Sequence, residues 1–392
     1  MGAGVFGVTA AIEMARRGHA VRLLDPGPLP HPDASSTDVS KMVRMDYGAD
    51  VFWTEMAEVS RSRWREWNEL QNQQHADKLL YHADGLLCLT REPMRAGGFE
   101  YESFRLLTER GWALERLDRR AIQARFPAWN AGRYTDGYLN PFDGWVPSGQ
   151  VVEHLVGEAR SAGVELLAGR RAVGLLQRNG RNGRNGWVAG VTTDDGGSHE
   201  AETVVVAAGA WTPTLLPWLD PLVTAVGQPV LHFQVDDPEP FTSPQFTTWA
   251  LDIATTGWYG FAALPDGTIK VGNHGAGRPV RADEPRVVLP EEEARCRAFL
   301  RESLPALADA PVVERRLCLY TDSWDNAFLI DHDPAHPGLV VATGGSGHGF
   351  KFAPLLGGII ADVVEGHPNR WADRFRWREP GTTTVESSRH HL

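Results

Sequence analysis

Cysteine is scarce in this chain. Only Cys88, Cys296 and Cys318 occur in 392 residues, too few and too scattered for a disulfide framework, so a reducing compartment is expected and any special cysteine would be chemical rather than structural. Positive charge is also short: 39 Lys+Arg face 50 Asp+Glu, a formal net charge of −11, which argues against nucleic acid or an anionic membrane surface as a partner. No run of about 18 apolar residues is present to span a bilayer. The N-terminus opens straight into glycines instead of a charged and then apolar signal region. What is there is ordinary globular composition, 42% hydrophobic and 23% charged, with length for roughly two domains. A soluble, cytoplasmic protein is expected.

Gly2-Ala3-Gly4-Val5-Phe6-Gly7 fits G-x-G-x-x-G and leads into an alanine-rich helical stretch, 8–17, that Gly18 can close. An apolar strand over 20–24 follows and ends in Asp25. That places a carboxylate about 20 residues beyond the first glycine, where a dinucleotide fold uses one to accept both ribose hydroxyls. The glycines let backbone approach a pyrophosphate, and the helix start offers it N–H groups and a positive dipole. One element is missing, because such a turn follows a buried strand of about five or six apolar residues and only Met1 precedes Gly2. The first strand is therefore expected to be truncated: the natural start lies upstream, or the sheet lacks a central strand.

Apolar spacing predicts an amphipathic helix over 51–71, a helix over 150–163 followed by a strand at 164–167, and a hairpin formed by 173–176 and 188–191. The thrice-repeated Arg-Asn-Gly of 178–186 reads as its solvated tip. Buried strands are expected at 203–208 and 339–343, the second entering Gly344-Gly345-Ser346-Gly347-His348-Gly349 and a helix from about 353 to 365. Between them lie alternating strands at 229–235, 259–262, 268–273 and 312–320, and a charged helix at 291–304. The chain thus leaves a nucleotide-binding fold and returns to it. The expected class is α/β (α+β): a discontinuous Rossmann-like FAD-binding domain (1–85, 140–222, 321–375), an inserted antiparallel-sheet substrate domain (86–139, 223–320), and a C-terminal tail (376–392).

Several residues invite a chemical reading. The glycines of 344–349 offer backbone donors at a helix start, whereas a hydrolase elbow at Ser346 fails because His348 replaces the last glycine of G-x-S-x-G. His332 and His336 flank two aspartates, but Pro334 and Pro337 break the helix that would join them on a metal, so no metal site is expected. Cys318, between two leucines, reads on its own as a small buried hydrophobe. Lys41 and Arg44 would share a face if helical, and a period of two puts Lys270 and His274 on one strand face.

Together these residues resemble the flavin-dependent amine oxidases typified by monomeric sarcosine oxidase and N-methyltryptophan oxidase, with fructosyl amino acid oxidases as relatives. The similarity covers nearly the whole length. It rests on the N-terminal GAGVFG with Asp25, on VVVAAGAW ending at Trp211, and most strongly on three C-terminal pieces in order: Arg316-Leu317-Cys318-Leu319-Tyr320, Phe328-Leu329-Ile330-Asp331 and Gly345-Ser346-Gly347-His348-Gly349-Phe350-Lys351-Phe352. The resemblance implies FAD held by Gly2, Gly4, Gly7, Asp25, Trp211, Gly345, Gly347 and Gly349, and linked through a thioether from Cys318 to the flavin 8α carbon. It implies that Lys351 contacts the flavin pyrimidine edge and the substrate carboxylate, and that Arg44 pairs with that carboxylate. It also implies that Tyr259, Tyr320 and His274 line the substrate pocket and that Lys270 activates oxygen. Lys41 stands where sarcosine oxidases have arginine and looks more like the fructosyl amino acid oxidases. The implied protein is a monomer that oxidises a secondary amine, an N-substituted amino acid, by hydride transfer to flavin N5, with imine hydrolysis and release of hydrogen peroxide from molecular oxygen. A fructosyl amino acid oxidase, a dehydrogenase using another electron acceptor and a non-catalytic flavin binder are the alternatives.

Overall fold

The N-terminal glycines turn the chain directly into a helix, Val5–Arg16, in the computed structural model, which describes residues 1–72, 79–178, 186–381 and 388–389. Gly2 takes a left-handed φ of 88°, and a Cβ on it would lie 2.3 Å from the Ala207 carbonyl oxygen. A Cβ on Gly7 would lie 1.8 Å from the carbonyl oxygen of Gly2, so the helix can fold back on the turn only with glycine there. Gly18, at φ 92°, ends the helix, and its N–H and that of His19 return to the carbonyls of Ala15 and Met14.

Two parallel pairs form the first layer. Arg22–Asp25 pairs with Glu165–Ala168, and Val204–Val206 pairs with Leu339–Thr343, which also takes Leu329–His332 antiparallel. The two sheets are separate, and Met1 and Gly2 bridge them. Gly2 N–H donates to Leu24 O (2.8 Å), the Met1 amine to Val205 O (2.7 Å), and Ala207 N–H to Met1 O (2.8 Å). Where the sequence pattern leads one to expect a five- or six-residue central strand, two residues make the contacts. Helices Val5–Arg16, Ser148–Ser161 and Ala353–Glu365 cover this layer and share one apolar core with it.

The second layer is a nine-stranded sheet in the order Arg278–Pro279, Val223–Gln234, Thr268–Asn273, Trp258–Gly260, Thr248–Leu251, Leu86–Thr90, Asp136–Asn140, Glu115–Asp118, with Val312–Ser323 paired along Val223–Gln234. Every pairing is antiparallel except that of Thr248–Leu251 with Leu86–Thr90. Strand alternation decides which residues reach the site. Leu317 and Leu319 point into the core beneath the sheet, while Cys318 and Tyr320 cluster on the other face with Val226 and Val230.

Residues 35–44 are not helical, which corrects the reading of Lys41 and Arg44 as neighbours on a helix face. Lys41–Val43 is a short strand paired with Gly144–Val146, so the two cations point to different parts of one cavity. The hairpin is present, with Ala172–Arg178 antiparallel to Trp187–Thr193; of the Arg-Asn-Gly repeat at 178–186, read as its tip, residues 179–185 lie outside the described residues. His332 and His336 do not converge: His332 Nε2 lies 2.9 Å from Val363 O, and His336 Nδ1 lies 3.0 Å from Asp333. Among the described residues no helix is long and apolar enough to cross a membrane.

Candidate active site

One cavity of about 480 Å³ runs between the two layers. At one end it is lined by Gly2, Gly4, Asp25 and Trp211, and at the other by Lys41, Arg44, Tyr259, Lys270, His274, Cys318, Tyr320 and Lys351, with Gly345, Gly347 and Gly349 between. Of the site residues that the family resemblance implies, Gly7 alone does not line it; its place is the contact under the helix described above.

The first end is built for an anion beside a sugar. Helix Val5–Arg16 has no side-chain cap from Gly4 and no acidic residue in its first turn, and its positive end faces the cavity. Ser36 Oγ accepts from Val5 N–H (3.0 Å). Buried Asp25 accepts from the N–H groups of Ala3 (2.8 Å) and Gly27 (3.0 Å), which fixes the turn and leaves lone pairs for further donors. A second helix start closes the cavity through the 344–349 loop. Gly347, at φ 77°, passes so close to Tyr320 that a Cβ would lie 2.3 Å from the ring. Ser346 is spent on the loop, donating to Gly344 O (3.0 Å) and accepting from Ser323 N–H (3.2 Å), so it is no nucleophile. An acid for a ribose and two helix starts along one cavity fit a dinucleotide such as FAD.

The other end concentrates charge. Lys270, buried on the sheet, donates to Asp38 Oδ2 (2.6 Å) and Ser40 O (2.6 Å), with its ammonium 4.9 Å from the Phe261 ring centre. Burial lowers the lysine to about 8, although Asp38 pulls the other way. Burial alone would raise Asp38, but the ammonium groups of Lys270 and Lys41 outweigh it and hold the carboxyl well below its ordinary range. Lys41 Nζ lies 3.4 Å from Asp38 Oδ2 and 3.9 Å from Cys318 Sγ, and Cys318 is buried.

Arg44 and Lys351 share the ring of Tyr47. The guanidinium carbon lies 4.8 Å and the ammonium nitrogen 4.7 Å from its centre, and Lys351 also donates to the Tyr47 hydroxyl (2.8 Å). The Lys351 backbone is pinned by Ser60 Oγ and Trp64 Nε1, which both donate to its carbonyl (2.6 and 2.7 Å). Tyr259 and Tyr320 are pushed upward by burial and stay protonated, and His274 Nδ1 lies 3.4 Å from the Tyr320 hydroxyl.

The sequence pattern of the FAD dependent oxidoreductase family, DAO, matches residues 1–363. The chain belongs to that family. This FAD-dependent oxidoreductase is 28% identical over 414 residues to L-saccharopine oxidase of Schizosaccharomyces pombe, covering 97% of this chain and 92% of that one. It is 28% identical over 374 residues to N-methyl-L-tryptophan oxidase of Salmonella heidelberg, covering 93% and 94%. Its fold is similar to that of fructosamine oxidase (Amadoriase II) from Aspergillus fumigatus, with a TM-score of 0.83, 23% identity, and coverage of 100% and 92%.

Sequence reasoning missed several residues of the oxidoreductase site. Asp38, partner of both Lys41 and Lys270, lies inside a segment whose cations alone draw notice. Tyr47 gives no signal, since only the fold sets it between Arg44 and Lys351. Ser388 and Arg389, assigned to a tail, return to the site: Arg44 Nη2 donates to Ser388 Oγ (2.7 Å), and Arg389 pairs with Asp322 (2.5 Å) beneath Tyr320. One signal was available. The chain holds four lysines, Lys41, Lys78, Lys270 and Lys351, and three of them line this cavity.

Proposed function

We propose that this protein is an FAD-dependent oxidase of a secondary amine, an N-substituted amino acid, and that it releases hydrogen peroxide. The observation that carries the reading is the pair of cations on one tyrosine ring, Arg44 and Lys351, which together make a site for a carboxylate. Bound FAD supplies the hydride acceptor. Arg44 and Lys351 hold the substrate carboxylate and so aim the carbon next to nitrogen. The walls formed by Tyr259 and by the buried Tyr320 and His274 exclude water while the hydride leaves. The substrate nitrogen must be neutral at that moment, because a protonated amine has no lone pair to push the hydride out, so this half-reaction gains rate with pH. The imine is hydrolysed in water. Lys270, charged below about pH 8, stabilises the negative charge that develops on oxygen. A carboxylate-bearing competitive ligand is expected to bind at least about tenfold more weakly to Arg44→Met, the loss of a charge-assisted hydrogen bond, and flavin-spectrum titration measures it; unchanged affinity would remove Arg44 from the site.

The same proposal includes a thioether from Cys318 to the flavin. Its support is a buried free thiol on the cavity wall beside Lys41. Acid precipitation of the wild type is expected to leave yellow colour in the pellet, and that of Cys318→Ser to release it to the supernatant. Colour in the supernatant for both proteins would mean a dissociable flavin. A cytoplasmic monomer, with the discontinuous domain division set out above, completes the proposal.

A further inference from the structure

A row of ionisable side chains crosses three adjacent strands from the cavity to the surface. Lys270 on Thr268–Asn273 pairs in register with His232 on Val223–Gln234, and His232 pairs in register with Glu314 on Val312–Ser323. Asp38 lies over the first two. Its Oδ2 accepts from Lys270 (2.6 Å), and its Oδ1 lies 3.6 Å from His232 Nε2. On the far side of the ring, His232 Nδ1 lies 2.8 Å from Glu314 Oε2. The side chains of Lys270, Asp38 and His232 are 2%, 1% and 1% exposed, and that of Glu314 is 52% exposed.

Charge balance alone does not explain His232. Asp38 already faces two ammonium groups, Lys270 and Lys41, and burying a histidine beside it adds a polar group that costs stability unless it is paired. Facing Lys270 are Asp38, Lys41, the Ser40 carbonyl, the Phe261 ring and the Cys318 thiol; facing His232 are Asp38 and Glu314. Arg316, two residues along from Glu314, is turned to the carbonyls of Pro32 and Ala34.

We propose that Glu314, His232 and Asp38 are positioning residues that conduct protons between solvent and Lys270. A proton taken from water by Glu314 passes to His232 Nδ1, the Nε2 proton of the ring passes to Asp38 Oδ1, and Asp38 returns a proton to Lys270 Nζ. The use of this line in turnover rests on the oxidase reading. Dioxygen takes two electrons and two protons to become hydrogen peroxide; bound FAD, reduced by the amine, would supply both electrons and one proton, and the second proton comes from water. With cofactor and substrate filling the cavity, the line recharges Lys270 along the same sheet face, from the exposed edge strand Val312–Ser323.

The test uses the holoenzyme labelled with 15N-lysine, whose four lysines give a readable spectrum. Exchange of the Lys270 ammonium protons with water is measured in the resting protein, alongside reoxidation of the dithionite-reduced protein by oxygen in H2O and D2O. Glu314→Ala, at an exposed strand edge, is expected to slow exchange by about tenfold, less than the ~10²-fold or more seen when a direct proton donor is lost. Formate should restore it, and His232→Gln should slow it without rescue. Reoxidation should slow in parallel, with a larger solvent isotope effect. Unchanged exchange in both variants overturns the line. Slowed exchange in both variants, with a wild type that oxygen does not reoxidise, keeps the line and removes the oxidase reading.

Discussion

Lys270→Met is expected to slow reoxidation of the reduced protein by oxygen about 10²- to 10³-fold, the size of effect seen when one preorganised donor to a developing oxyanion is removed, while reduction by the amine changes far less. The reason is positional. Lys270 is a buried cation on the sheet face of the cavity, held by Asp38 and the Ser40 carbonyl at 2.6 Å each, whereas the carboxylate site proposed above uses Arg44 and Lys351. The pH dependence carries a definite sign. Burial lowers the lysine to about 8, so the charged form proposed to assist oxygen predominates below that value and is lost above it. Wild-type reoxidation should therefore fall as pH rises through about 8, and the Met variant should show no such fall. Stopped-flow mixing of anaerobically reduced protein with oxygenated buffer measures both. Equal losses in the reductive and oxidative half-reactions would refute this role for Lys270.

Asp38→Asn is expected to be the most destabilising conservative change in the site, by about 3–5 kcal/mol at pH 7, because it strands a buried ammonium without its counter-ion. Two consequences distinguish this from a simple packing defect. Asp38 raises Lys270, so without it the lysine discards its proton below about pH 8, and the loss should shrink as pH rises towards that value. The double variant Asp38→Asn/Lys270→Met should recover much of it, since it removes the fully buried ammonium and leaves only the partly exposed Lys41 without its partner. The wild type adds a third sign. Asp38 is held well below its ordinary range, so its contribution is complete above the unfolded carboxyl value of about 3.9 and is lost as pH falls through the folded one. Urea unfolding as a function of pH measures all three, and a neutral effect of Asp38→Asn at pH 7 would contradict the ion-pair account.

Much of the fold is legible in the sequence because its signals are local. The Gly2–Gly7 spacing, the apolar run ending in Asp25, the β-branched strands before Trp211 and Gly344, and the helix at Ala353–Glu365 each follow from periodicity and turn chemistry over a few residues. Alternation along Val312–Ser323 likewise puts Cys318 and Tyr320 on one face by period alone. The 35–44 segment reads as potentially helical because a three-residue spacing of cations suits a helix face, whereas the pairing of Lys41–Val43 with Gly144–Val146 that makes it a strand joins segments about 100 residues apart. Long range also hides the partners in the site. Asp38 meets Lys270 across 232 residues, Arg44 meets Ser388 across 344, and Tyr47 meets Lys351 across 304. Such contacts leave no trace in local spacing. The scarcity of lysine does leave one, since a chain that fills its surface with arginine and keeps three of four lysines for one cavity reveals where a compact ammonium is needed.

The central claim is tested most directly by the flavin spectrum of the purified protein under strict anaerobiosis, titrated with N-alkyl amino acids and, separately, with the parent amino acids and with N-alkyl amines that lack a carboxylate. The account predicts that the N-alkyl amino acids bleach the flavin, faster as pH rises, and that admitting air restores the colour with one hydrogen peroxide per amine consumed. A flavin that stays oxidised with every N-alkyl amino acid, or that is bleached equally by amines without a carboxylate, would contradict it.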